Sequence, residues 1–153
     1  MHAEDVITGA LLLWAASIAT IDWRWRKVPN LLLLALLLPT LAVLLVRGAG
    51  PLAVAWPASI AGTLIAAALT LPGYLAQRLG AGDVKLAAVL GLLLGWPSIG
   101  WMLLCAALLL GLMSLAAVTA LGFANARKLR LPAAVPMAAA FAATLITLKT
   151  GWL

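Results

Sequence analysis

The sequence predicts an all-α, polytopic membrane protein of about six transmembrane helices, and three observations carry that prediction. The 153 residues are 66% hydrophobic and only 9% charged, with a mean hydropathy of +1.17; soluble domains run at roughly 45–50% apolar and about 25% charged. The apolar residues form continuous Leu- and Ala-rich runs, not the short alternating segments that a barrel needs. The basic residues lie between those runs and build no basic domain of their own. A net charge of +6 therefore reads as a topology signal and not as a nucleic-acid surface.

The elements follow in order. Met1-His2-Ala3-Glu4-Asp5 is acidic where a signal peptide starts with positive charge, so the first apolar run, 6–21, is expected to stay as a transmembrane helix. It meets the membrane surface at Asp22. Residues 23–30, Trp23-Arg24-Trp25-Arg26-Lys27-Val28-Pro29-Asn30, combine three cations with two tryptophans, the composition of an interfacial anchor. Pro29 disfavours helix at Val28, and Asn30 suits the N-cap of a second helix over 31–46. Arg47 to Pro51 make a turn. A third helix is expected over 52–75, with Pro57 near its start and Pro72-Gly73 breaking its end. Gln77 to Gly82 form the next loop. A fourth helix covers 84–95, and a fifth covers 99–124. Asn125 to Pro132 form a basic loop with Arg127, Lys128 and Arg130, and a sixth helix covers 133–148. No repeat, low-complexity tail or linker marks a second domain, so residues 1–153 are expected to form one transmembrane unit.

Alternate loops differ in charge. With the N-terminus and C-terminus outside, the inner loops hold Arg24, Arg26, Lys27, Arg78, Lys85, Arg127, Lys128 and Arg130, and the outer ones only Arg47 and Lys149. That is the bias of a positive-inside arrangement. Asp22 and Asp83 then both fall on the cytoplasmic side of the membrane. The fourth helix is short: about twelve residues at 1.5 Å each span roughly 18 Å, against a hydrocarbon core of about 30 Å. Either the bilayer thins there, or Asp83 is recessed below the surface in a wet or protein-lined cleft.

Chemistry has few candidates. The chain has four acidic residues, and two of them, Glu4 and Asp5, are at the N-terminus. Asp22 and Asp83 each stand at the end of an apolar run, where an acid is a functional hypothesis by default. Two neighbouring carboxylates do not both ionise cheaply, so one keeps a proton. The ionised member can take a proton from water while the protonated one polarises a peptide carbonyl. Such chemistry needs no metal or cofactor. One histidine, His2, and one cysteine, Cys105, offer neither a metal cluster nor a disulfide. Gly80 and Gly82 precede the acid without a Cβ, which suits the close approach of a peptide and, at Gly82, a positive φ. Lys85 can reach the interface or hold a carboxylate.

Plainer readings of the same residues stand beside this one. Asp83 can be a helix cap, and Asp22 a helix-end residue countered by Arg24 or Arg26. Cys105, Met102 and Met113 read as helix-packing residues; Trp23, Trp25, Trp96 and Trp101 read as interfacial-belt residues. The alternatives to a protease are a small proton-coupled transporter with the two acids as a relay, and a non-enzymatic membrane subunit with both acids as caps. A relay calls for acids near the midplane, and these two lie at one surface.

Two motifs carry a family resemblance. Asp22 with Arg24, Arg26 and Lys27, ending in Val28-Pro29-Asn30, resembles the first-aspartate loop of the type IV prepilin peptidases, which are GxGD membrane aspartyl proteases. Gly80-Ala81-Gly82-Asp83-Val84-Lys85-Leu86 resembles their second-aspartate motif, about fifty residues further on. Leu131-Pro132, Val135-Pro136 and Ala138-Ala139-Ala140 resemble a weaker signature at the last helix. The resemblance implies that Asp22 and Asp83 are catalytic, with Gly80, Gly82, Lys85, Pro29 and Asn30 in support. It implies an inner-membrane enzyme that removes the basic leader of type IV prepilins or pseudopilins at the cytoplasmic face. The chain is similar to the short form associated with Flp-type (tight adherence) pili. It lacks the cysteine-containing cytoplasmic insert that accompanies N-methylation in the long form, so methylation is not part of the expectation. Membrane lipid is the other expected partner, its anionic headgroups holding the cations of the leader. The oligomeric state is left open.

Overall fold

The computed structural model describes residues 3–123 and 132–150. The expected basic loop with Arg127, Lys128 and Arg130 lies outside the described residues, as does Leu131. All regular structure among the described residues is helical: α1 (Ala3–Trp25), α2 (Asn30–Arg47), α3 (Trp56–Leu75), α4 (Ala81–Leu94), α5 (Ser98–Leu121) and α6 (Ala134–Thr150). Four of them, α1, α2, α3 and α5, are long and apolar enough to cross a membrane.

Several boundaries differ from the sequence reading, each for a local reason. Helix α1 continues past Asp22 to Trp25 and ends where Arg26 turns to φ 50°, with its amide still bonded to the Asp22 carbonyl. Helix α3 starts at Trp56 because Pro57 sits in its first turn, where a missing N–H costs nothing. Leu52 to Ala55 are not helical: the Gly50 amide donates to the Val54 carbonyl, and Ala53 takes φ 58°. Helix α5 stops at Leu121, before Gly122 at φ 76°.

Helix α4 is the hub. It packs against α2, α3, α5 and α6, and it is buried almost all round from Leu86 to Leu94. A helix of 14 residues is about 21 Å long, short of a hydrocarbon core of about 30 Å. Its partner α3 presents a stripe of small residues, Ser59, Gly62, Ala66 and Thr70. At the crossing, a Cβ on Gly62 would stand 2.4 Å from the Gly91 carbonyl oxygen, so both glycines are required by the approach of two backbones. Elsewhere α1 packs on α6, and Trp14 joins three helices. Its indole N–H donates to the Leu32 carbonyl at 2.8 Å, and its ring meets Phe141 edge-on. Asp5 and Lys149 form an ion pair that ties the start of α1 to the end of α6.

The outer surface is apolar. Leu104, Leu108, Leu112 and Leu115 on α5 are exposed, as are Trp23, Trp25, Trp96 and Trp101. Met102 is buried, as a packing residue should be, whereas Cys105 sits on the exposed side of α5.

Candidate active site

Helix α1 delivers Asp22 to the core by simple periodicity. Leu11, Ala15, Ile18 and Asp22 fall at alternating intervals of four and three, one face of a helix, and all four are buried. Asp22 is therefore the last member of an apolar stripe and is only 4% exposed. The expectation of a surface residue just beyond the helix is corrected: one more turn of α1 carries the carboxylate inward.

That carboxylate meets the start of α6. The Ala134 amide donates to Asp22 Oδ2 at 3.0 Å, and the Val135 amide is a second donor beside it. These are first-turn N–H groups with no partner inside their own helix, and Pro136, next in line, has none to offer. A helix N-terminus concentrates partial positive charge, which suits an acid taken out of water. The Arg26 guanidinium also acts on the charge of Asp22.

Asp83 is held differently. Helix α4 begins at Ala81, so Asp83 is its third residue and not its cap. From there the side chain folds back, and the Gly80 amide donates to Asp83 Oδ2 at 2.9 Å, one half of a capping box. The other oxygen meets no hydrogen-bond donor among the described residues. Asp83 is 9% exposed, and the charge of Asp22 acts on it directly. The fold thus brings the two aspartates into one neighbourhood, each at the N-terminus of a helix.

The two glycines have their own reasons. A Cβ on Gly80 would stand 3.2 Å from Asp83 Oδ2, crowding the carboxyl group. Gly82 lies within α4 and has no positive φ, so that part of the expectation is corrected. What it does need is space: a Cβ there would meet Val28 Cβ at 3.1 Å. The chain that approaches Gly82 is the protein's own α1–α2 loop.

Pro29, in the extended conformation at φ −67°, precedes α2 as its N-cap, a role expected of Asn30. Asn30 is instead the first helical residue, and its Oδ1 accepts a 3.3 Å hydrogen bond from Lys85 Nζ. Both side chains are exposed and neither bonds to an aspartate. Among the described residues no three His, Cys, Asp or Glu side chains converge as a metal site would require. Sequence reasoning missed the Ala134 and Val135 amides and the contact of Val28 with Gly82. The one available signal for the first was the proline-rich start of the last helix at Pro132 and Pro136.

The family model of the type IV leader peptidases matches residues 9–147, which takes in both aspartates and the start of α6. The chain belongs to the type IV leader peptidase family. Comparison with curated proteins and with solved structures gave no match. As a member of a peptidase family it acts on a protein substrate, and its long apolar helices make it an integral membrane protein.

Proposed function

We propose that this leader peptidase is an aspartic endopeptidase in which Asp22 and Asp83 share one proton and activate a water molecule. The observation that carries the reading is the pair itself: two buried carboxyl groups, on α1 and α4, with the charge of Asp22 felt at Asp83. In the reaction the ionised aspartate takes a proton from water, and the resulting nucleophile attacks the scissile carbonyl carbon. The protonated aspartate hydrogen-bonds the carbonyl oxygen and then supplies the proton that the departing amine needs. The amides of Gly80, Ala134 and Val135 hold the two side chains in place without contributing protons.

The substrate is a type IV prepilin or pseudopilin, cut after its short basic leader at the cytoplasmic face of the inner membrane. Cations gathered on the loops at the aspartate end of the helices support that orientation. The single transmembrane unit, the supporting roles of Gly80, Gly82, Lys85, Pro29 and Asn30, and a reaction that ends at cleavage without methylation belong to the same reading.

The test is cleavage of a prepilin by the protein in membranes, followed across pH. A dyad gives a rate that falls on both sides of an optimum. At low pH both acids are protonated and no base remains; at high pH both are ionised and no acid remains. The two apparent pKa values belong to the pair. Added chelator should leave the rate unchanged. A rate that rises to a plateau with a single ionisation, or is lost with chelator and restored by zinc, overturns the assignment. A capping role is favoured by one contact, that of Asp83 with Gly80; it predicts no such profile.

A further inference from the structure

Helices α2 and α4 enclose a groove whose two walls each advance by seven residues. On α2 the wall starts at Asn30 and continues through Leu33 and Leu37; on α4 it starts at Lys85 and continues through Val89 and Leu92. Thr63 of α3 closes the floor, its hydroxyl already bonded to the Ser59 carbonyl. The cavity is about 510 Å³, open at the side, and seven residues of helix give it a depth of about 10 Å.

The mouth is chemically one-sided. Lys85 meets no carboxylate among the described residues; its bond goes to Asn30 Oδ1. That bond uses the Asn30 carbonyl oxygen, and the Asn30 NH₂ and the remaining ammonium hydrogens are further donors at the same exposed pair. Donors and positive charge stand at the mouth, and behind it the lining is aliphatic apart from Thr63, whose hydroxyl is bonded to its own helix.

We propose that this groove is a binding site for one anionic phospholipid, its phosphate on Lys85 and Asn30 and an acyl chain along Leu33, Leu37, Val89 and Leu92. A phosphate is acceptor-only and negative, which complements the donors at the mouth. The chain attached to it needs an apolar channel that begins at the same point. A peptide helix satisfies the backbone groups along its length and carries no phosphate to those donors. The proposal does not depend on the peptidase reading, because it is measured by lipid binding and not by cleavage.

The purified full chain, in detergent with equal amounts of phosphatidylglycerol and phosphatidylcholine, is examined by native mass spectrometry. One phosphatidylglycerol should be retained in preference to phosphatidylcholine. Lys85→Gln should reduce that preference about fivefold, the worth of one surface cation toward anionic lipid, and Lys85→Arg should keep it. Leu37→Trp, which fills the groove and leaves the mouth intact, should also release the lipid. Equal retention of the two lipids, or an unchanged preference in Lys85→Gln, overturns the proposal. So does loss with Lys85→Gln but not with Leu37→Trp, which would place the lipid outside the groove. A photo-crosslinking residue at position 34, in vesicles of the same two lipids, should give a lipid adduct. An adduct to a second copy of the chain, or to added prepilin in place of lipid, would show that the groove serves another occupant.

Discussion

Asp83 takes its hydrogen bond from an amide three residues away, whereas Asp22 takes its own from an amide 112 residues away. Both acids are buried and both sit at a helix N-terminus, yet one site is assembled by the first turn of α4 and the other by the docking of α6 on α1. A local contact forms whenever its helix forms. The distant one exists only when the fold is complete. A reaction that needs both acids therefore cannot proceed in a partly assembled chain, and disturbing either anchor affects the pair in a different way.

Replacing each acid by asparagine tests the comparison most severely. Asparagine keeps a carbonyl oxygen for the Gly80 or Ala134 amide but does no acid–base work at ordinary pH. Asp83→Asn and Asp22→Asn should each lower prepilin cleavage by about 10²–10⁴-fold or more, with the thermal transition of the purified protein nearly unchanged. Near-normal cleavage by either variant would mean that this acid is a cap only.

Removing the donors instead of the acids separates the local anchor from the distant one. Backbone geometry admits proline at both positions, because Ala134 opens α6 and Gly80 has φ −78°, although at position 80 the ring also sets a Cβ against the Asp83 carboxyl. A hydrogen bond to a charged group contributes about 1.5–3 kcal/mol, so Ala134→Pro should slow cleavage about ten- to a hundredfold. Gly80→Pro should slow it by a similar factor and also loosen the start of α4, visible as faster amide exchange there. Equal exchange at the start of α4 in the two variants would erase the distinction between the anchors.

Gly82 measures how closely the α1–α2 loop covers the second aspartate. Gly82→Ala puts a methyl against Val28 and should reduce cleavage several-fold. Val28→Gly in the same chain removes the Cβ and the methyl in conflict and should recover most of it. Lack of recovery would mean that Gly82 is needed for the substrate's approach and not for the loop's.

The smallest effect concerns the support of α1. Trp14→Phe keeps an aromatic ring beside Phe141 and loses the hydrogen bond to Leu32, a change of about 1 kcal/mol in stability. Thermal denaturation should show a modest drop, with cleavage at low temperature preserved. A large loss of cleavage would reveal that Trp14 sets the position of Asp22 and does more than pack.

Much of this was legible in the residues. The all-α membrane class followed from composition and continuous apolar runs. Both acids stood out because so few others exist. The Gly80-x-x-Asp83 contact was within reach of sequence reasoning, because a side chain at the third helical position returns to the amide before the helix by local geometry alone. Gly82 was noticed for the right property, its missing Cβ, but the positive φ expected of it is not there. Position in a turn was assumed, and the partner turned out to be Val28, over fifty residues earlier.

By itself the sequence determined which segments are apolar, where prolines and glycines interrupt them, and that Asp22 and Asp83 each stand at the end of an apolar run. These depend on neighbours within a few turns, and the chain carries that information locally. Tertiary structure alone decided that α1 runs on past Asp22, that the unpaired amides of α6 close on its carboxylate, and that α4 is the buried hub. In an apolar chain nearly every helix face is greasy enough to pack on any other, so hydrophobic pattern does not choose partners. The choice falls to shape and to unsatisfied polar groups: Gly62 against Gly91, Val28 against Gly82, and the N–H groups of Ala134 and Val135 against Asp22.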